Sequence, residues 1–335
     1  MEKQSLLQRI IKKRIIIMIL LLVMMLLVFA ILSTPNKSFL EIFKGSSLIL
    51  KPKNLANIIN SMPLSVFLTT GITLLMISGK LDLSTGANGT LCAMLIAYLL
   101  RSGMPLVPAV LVTLGVGLFM GFINGTLVNG LNVAPFIATL ATSTVATGLV
   151  YFIADKKTID ITNPFLKWYG SHMLFGYIPV SAVVAFGFMI IAGIVLHRTS
   201  FGRKIYLVGG NPQAAMLSGI NPKKMSYLLF MICGLASALA GISFAARQQS
   251  ANMQGITQAR FQGITAAVLG GIAFGGGSGG MAGAFVGLLV LSTFSNGLTV
   301  IGLNPYLQNV ATGLLLIFAL ILDFIQKQQS LKTLV

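Results

Sequence analysis

The sequence predicts an all-α, polytopic integral membrane bundle of about ten transmembrane helices, with both termini on the cytoplasmic side. Three observations lead there. Of 335 residues, 56% are hydrophobic and only 9% are Asp, Glu, Lys or Arg, against about 25% charged in an ordinary soluble domain. The uncharged stretches are long enough to cross about 30 Å of hydrocarbon. The 23 Lys and Arg, against six acids, fall between those stretches, where positive residues mark membrane flanks. The abundance of aromatic and branched residues excludes a disordered chain. Cys92 and Cys233 both lie inside apolar runs and suggest neither a disulfide framework nor a zinc cluster.

Residues 15–32 are an unbroken apolar run of 18. That exceeds the roughly 7–15 residues of a secretion-signal core, and no small-x-small pattern follows, so the run reads as a first span. Residues 54–79, 83–100, 168–196 and 225–246 contain no Asp, Glu, Lys or Arg and each suits one helix of about 20 residues. Residues 102–154 and 261–322 continue charge-free for 53 and 62 residues, enough for about two and three helices. Asn129, Gly130 and Asn132 suit a reversal within the first run; the Gly-rich stretch 270–283 and then Asn304-Pro305 break the second. Asn221-Pro222 and Asn304-Pro305 also read as helix starts: the Asn side chain caps, and Pro at the first position lacks only an N–H that had no partner.

Lys3, Arg9, Lys12, Lys13 and Arg14 place the N-terminus inside by the positive-inside rule. Threading ten spans from there puts Lys80, then Arg198, Arg203, Lys204, Lys223 and Lys224, then Lys327 and Lys332 on the same side. That gives 13 basic residues inside and ten outside. The net charge of +17 belongs to these flanks; no soluble basic stretch interleaved with stacking aromatics points to nucleic acid. The chain reads as a single transmembrane domain, 1–335, carrying a cytoplasmic loop at 197–224.

Within that loop a short helix is too polar to insert. Asn211 can cap it, Pro212 fits its first turn, Gln213 to Ser218 make about two turns, and Gly219 suits a left-handed exit. Such a helix is either an ordinary surface feature of a loop or a docking element.

Here the sequence resembles the ribose-type permease family of bacterial ABC importers. The likeness is carried by SGKLDLSTGA (78–87), GFINGTLVNGLNVAPFIATLAT (121–142), FGRKIYLVGGNPQAAMLSGI (201–220), GITAAVLGGIAFGGGSGGMAGAFVGLL (263–289) and NGLTVIGLNPYLQNVATGLLL (296–316). It covers most of the chain from about residue 55. The resemblance implies that residues 209–220, with Gly209, Asn211, Pro212, Gln213, Ala214, Ala215 and Gly219, form a coupling helix seated in a groove of a separate cytoplasmic ABC ATPase. It further implies an extracytoplasmic solute-binding protein docking on the outer face and a second permease copy or paralogue. The implied location is the bacterial cytoplasmic (inner) membrane. Gln213 stands where the family often has Glu, Met216 where a basic residue is common, and Lys80 where Gly is usual.

The chain shows no ATP site of its own. A P-loop needs G-x-x-x-x-G-K-[ST], and the Gly79-Lys80 pair is followed by Leu81. No cofactor is expected in this chain; ATP and Mg would sit on the partner ATPase. No catalytic residue and no metal site are expected, since His172 and His197 stand isolated.

Candidate solute-path residues offer hydrogen bonds without fixed charge. Thr139, Thr142, Ser143 and Thr147 share an arc of about 140° on one helix; Asn88, Asn124 and Asn296 are further buried-amide candidates. The alternative for the hydroxyls is bonding back to their own helix, and for the amides bridging between helices. Asp82, Gly270, Gly271 and Gly276 are candidates for gating or close packing, the glycines because small residues let backbones approach in lipid. Together these readings describe a permease subunit importing a sugar or similar small polar solute. The alternatives are an ion-coupled secondary carrier, which would need intramembrane acids, and an ABC permease for nucleosides or branched-chain amino acids.

Overall fold

The computed structural model describes residues 6–34, 46–155, 157–257, 259–304 and, between 306 and 321, all but 309, 316, 319 and 320. The helices are α1 (Leu6–Leu32), α2 (Pro52–Ser61), α3 (Pro63–Ile77), α4 (Thr85–Arg101), α5 (Leu106–Asn129), α6 (Pro135–Ala154), α7 (Pro164–Ser171), α8 (Val180–Arg198), α9 (Ser200–Gly210), α10 (Pro212–Leu217), α11 (Pro222–Gln248), α12 (Ala259–Leu269) and α13 (Met281–Val300). Pro opens α2, α3, α6, α7, α10 and α11, the position where its missing N–H costs nothing. Among the described residues four two-residue strands join loops. β1 (Ile159–Asp160) pairs antiparallel with β4 (Ser250–Ala251), and β2 (Met173–Leu174) with β3 (Ile178–Pro179). These ladders sit on a fold that is otherwise helical.

Six described helices are long and apolar enough to cross a membrane, and a seventh arises if α2 and α3, bent by 46° at Met62, count as one span. The expected division of the charge-free runs therefore changes in two places. α4 has 17 residues. α12 has only 11, about 16 Å at 1.5 Å per residue, half of a crossing. The other half is non-helical: Ile256 N–H donates to Thr90 Oγ1 at 3.1 Å, and Thr257 Oγ1 lies 3.2 Å from the same hydroxyl. The chain thus descends beside α4 before α12 begins. The expected span at 168–196 is likewise divided, into the capped α7 and the longer α8. Asn304 caps Tyr306 N–H at 2.9 Å as its position suggests. The basic residues 3, 327 and 332 and most of the outer loop 35–53 lie outside the described residues.

α11 is the central strut. Of its apolar window 67% is buried, against 17% for α1, and it packs on α3, α4 and α5. Small residues make the approach possible. A Cβ on Gly117 would lie 2.7 Å from Gly234 O, and one on Gly241 would collide with Gly89 O. Backbone-to-backbone contact substitutes for a hydrophobic drive that lipid cannot provide.

Candidate functional site

The loop expected to be cytoplasmic folds as two helices at a sharp corner. Thr199 caps α9 by accepting from Gly202 N–H at 3.4 Å. Asn211, extended at φ −154°, ends α9 and starts α10, its Oδ1 accepting from Gln213 and Ala214 N–H, both at 3.0 Å. Ser218 follows as the C-cap, and Gly219 takes the left-handed exit at φ +77°. Ala215 is buried, whereas Met216 and Leu217 are 62% and 88% exposed. A two-turn helix with an apolar tip and no cover stands out from the bundle. The short helix expected at 209–220 is thus Pro212–Leu217, and Gly209 belongs to the helix before it.

Gly209 instead marks a three-way backbone junction. A Cβ there would collide with Ile77 O and lie 2.6 Å from Gly277 N. Gly277 N–H donates to Ile77 O at 2.8 Å. Gly276, at φ +80°, would with a Cβ meet Gly79 N at 2.6 Å, so both conformation and space demand glycine. Tyr206 Oη donates to Gly279 O at 2.7 Å and ties α9 to the same loop. The end of α3, the end of α9 and the loop between α12 and α13 therefore meet without side chains between them. Gly271 turns at φ +93°, while Gly270 packs face to face with Gly283 and with Ala284 N. The Gly-rich stretch is thus both a helix break and a close-packing seam.

Lys80 stands beside this junction, its Nζ donating to Asn129 Oδ1 at 2.6 Å. Burial, and then the charge of Lys223, lower its ammonium pKa to about 8.

The second assembly gathers most of the expected hydroxyl stripe around Asp82, which is 2% exposed. Asp82 Oδ1 accepts from Ser84 N–H at 2.7 Å and Ser84 Oγ at 2.6 Å; Oδ2 accepts from Asn124 Nδ2 at 3.3 Å. Asn124 Nδ2 also donates to Ser84 Oγ at 2.8 Å, and Thr142 Oγ1 donates to Asn124 Oδ1 at 2.6 Å. Leu83 N–H donates to Thr139 Oγ1 at 3.1 Å, and Thr139 donates to Pro135 O at 2.8 Å. Arg260 Nη1, from the start of α12, reaches Leu83 O at 3.2 Å and Ser143 Oγ at 3.0 Å. The cluster pins the segment before α4 to α5, α6 and α12, and most of its donors and acceptors are spent on each other, with Arg260 Nε buried and unpartnered.

Other expected path residues lie elsewhere. Thr147 bonds back to Ser143 O at 2.8 Å, the local pattern that needs no ligand. Asn88, 1% exposed, bridges α4 to α5 through Gly117 O at 3.5 Å. Asn296 exchanges hydrogen bonds with Asn54, at 2.7 and 3.2 Å, on the opposite side of α12 from the Asp82 cluster.

Sequence reasoning missed Arg260 as an interior residue and assigned it to an external flank. Ser143, its partner, is eight residues into α6, about 12 Å from the helix end. The signal available was position: a cation directly before a charge-free run whose first break comes after only half a span.

The family profile described as branched-chain amino acid transport system, permease component, matches residues 54–320. The ribose import permease of Bacillus subtilis (strain 168) is 34% identical over 88% of this chain and 88% of its own. The galactose/methyl galactoside import permease of Escherichia coli (strain K12) is 31% identical over 81% and 86%, and the ribose import permease of the same strain 30% identical over 88% and 90%.

Proposed function

The chain belongs to the permease-component family of ABC transport systems, and from that premise we propose that it imports a sugar or similar small polar solute through the bacterial inner membrane. It is a multi-pass membrane subunit and not an enzyme. Its import relatives handle ribose and galactose, which supports a sugar over the branched-chain amino acids of the profile's description. In this reading about ten crossings leave both termini in the cytoplasm, consistent with the basic residues of loop 197–224 and of residues 1–14. ATP and Mg²⁺ are held by a cytoplasmic ATPase, solute arrives on an extracytoplasmic binding protein, and a second permease copy or paralogue completes the pathway.

The observation that carries the reading is α10: a short, doubly capped helix with an exposed apolar tip, rooted through Gly209 in backbone contact with α3 and the Gly-rich loop. It suits a groove in a partner and gives movement there a rigid route into the bundle. The expected residues Asn211, Pro212, Gln213, Ala214, Ala215 and Gly219 make this contact or shape it. Reconstitution with the ATPase and binding protein tests the proposal. Uptake into vesicles should require ATP hydrolysis; uptake without any ATPase would refute it. Ala214→Pro should leave hydrolysis but abolish its coupling to uptake.

Buried Asp82 is the feature an ion-coupled carrier would use. Its oxygens are already engaged by Ser84 and Asn124. Collapse of ion gradients with ATP maintained separates the two: an ABC importer continues, a carrier stops.

A further inference from the structure

We infer that a polar cleft between α2–α3 and α12–α13 is the solute-handling vestibule, taking a neutral polyhydroxylated ligand the size of a monosaccharide; this rests on the sugar-import reading above.

The cleft has a volume of about 270 Å³ and is lined by Asn57, Ser61, Ser65, Gln262, Ser295 and Thr299, among others. Its walls are two helical faces. Asn57, Ser61 and Ser65 recur at spacing four across the α2–α3 bend, and Ser292, Ser295, Asn296 and Thr299 at three and four along α13, the repeat that puts side chains on one face. Among the described residues, no Asp, Glu, Lys or Arg lines it. A cleft in a membrane bundle that is polar yet uncharged fits a ligand offering and accepting hydrogen bonds without carrying charge.

Part of its hydrogen-bonding capacity is unspent: Ser61 and Thr299 bond back to Ile58 O and Ser295 O, but other lining groups stay open. Ser65 Oγ donates to Gln262 Oε1 at 3.2 Å, and Asn54 pairs with Asn296. Among the described residues no hydrogen bond reaches the Asn57 amide, the Ser292 or Ser295 hydroxyls, or the Gln262 side-chain nitrogen. Polar groups in a bundle that cannot satisfy one another need water or ligand. The Thr and Ser of α6 have no such vacancy.

Position supports the same reading. Thr299 is next to last in α13 and Leu288 lies eleven residues earlier, so the cleft runs about 17 Å along the helix, half of a crossing. It extends from the end remote from α10 to a floor of Leu64, Leu288 and Leu291. Both walls contain a discontinuity, the bend at Met62 and the late start of α12 at Ala259, and interrupted helices at mid-depth are where transporters place polar solutes. Leucines closing the floor are what a shift of either interrupted helix would move aside.

Cysteine labelling tests this in the full complex with its ATPase and binding protein. Cys92 and Cys233 are both buried, so Ser295→Cys introduces an accessible thiol by a near-isosteric change. The cationic methanethiosulfonate reagent MTSET should modify it readily. It should fail to modify Phe119→Cys, on the lipid-facing side of α5, where Phe119 is 59% exposed. Modified Ser295→Cys should lose at least tenfold of ATP-driven D-ribose or D-galactose uptake, keep its ATP hydrolysis, and recover when dithiothreitol removes the adduct. Full uptake after stoichiometric modification, or no modification with or without ATP, would overturn the vestibule. If the unsubstituted complex imports neither sugar, the sugar reading itself fails, and MTSET reactivity at residue 295 equal to that at 119 would then sink the aqueous cleft as well.

Discussion

Gly209→Ala opposes two effects whose signs differ. In the last turns of α9, replacing Gly by Ala should stabilise the helix by up to about 1 kcal/mol, because Gly loses the most backbone entropy on folding. The junction opposes this. The new Cβ would lie 2.6 Å from Gly277 N and collide with Ile77 O. Ordinary contact begins near 3.4 Å, so α9 must retreat by about 0.8 Å from Gly277 N and farther from Ile77 O, two backbones that have no side chain to yield. Overpacking of this kind costs about 1–3 kcal/mol. Prying apart the 2.8 Å Gly277 N–H to Ile77 O hydrogen bond adds about 0.5–1.5 kcal/mol. The net expectation is a loss of about 1–3 kcal/mol.

Gly210→Ala supplies the control, since a Cβ there meets nothing within 4 Å. It should be neutral or slightly stabilising. Thermal unfolding of both variants, with ATP hydrolysis and uptake by the reconstituted complex, reads the outcome. Gly209→Ala should unfold at lower temperature and lose at least tenfold of uptake per ATP hydrolysed, with Gly210→Ala at wild-type levels. A Gly209→Ala variant that is more stable than wild type and fully coupled would refute the junction as a mechanical contact.

Asn211→Ala removes the acceptor for both Gln213 and Ala214 N–H and should cost about 0.5–2 kcal/mol of α10 stability; stimulation of ATP hydrolysis by loaded binding protein should fall, and an unchanged response would argue against the cap. Asp82→Asn places an amide donor opposite Asn124 Nδ2, which already donates there at 3.3 Å, so a loss of about 1–3 kcal/mol is expected; equal thermal stability would show the bond to be dispensable. Lys80 has its pKa lowered to about 8 in the folded chain, so between there and its ordinary value near 10.5 the unfolded state binds more protons. Stability from this residue therefore rises with pH across that window. Unfolding temperatures measured from pH 7 to 10 should climb more steeply in wild type than in Lys80→Met, and parallel profiles would exclude the effect.

Composition and charge spacing were enough to expect a membrane bundle, because lipid imposes length and polarity on every spanning segment. The caps were equally legible. Asn221 before Pro, and Asn211-Pro212 with Gly219, act through local chemistry that extends only a few residues. What escaped was whatever depends on a distant backbone. Nothing near Gly209 announces that Ile77 and Gly277 will stand against it. A charge-free run of 62 residues also looks the same whether it holds whole helices or begins with the half-helix α12. The hydroxyl stripe on α6 was read correctly as periodicity, and Asn124 joined it. The stripe on α13, with the same spacing, was seen only at Asn296. Periodicity locates a polar face but does not say whether another segment saturates it, as Leu83 and Arg260 do for α6.

The two assemblies are connected through α12, and the connection has a direction. At its C-terminal end α12 runs into the loop whose Gly276 and Gly277 touch Gly79, Ile77 and Gly209, one residue pair from the cap of α10. At its N-terminal end Arg260 holds Leu83 and Ser143, while Gln262 faces Ser65 across the cleft. An 11-residue helix is about 16 Å long, so a rigid displacement at one end reaches the other without further relay. Full-length helices could tilt without changing what lines their middle. A half-helix, ending where the polar groups are, cannot move without altering which of Gln262 and Arg260 meets its neighbours. The glycines at the junction then have a mechanical reason to be side-chain-free, because contacts between backbones transmit a displacement with little slack, whereas interposed side chains could absorb it by changing rotamer.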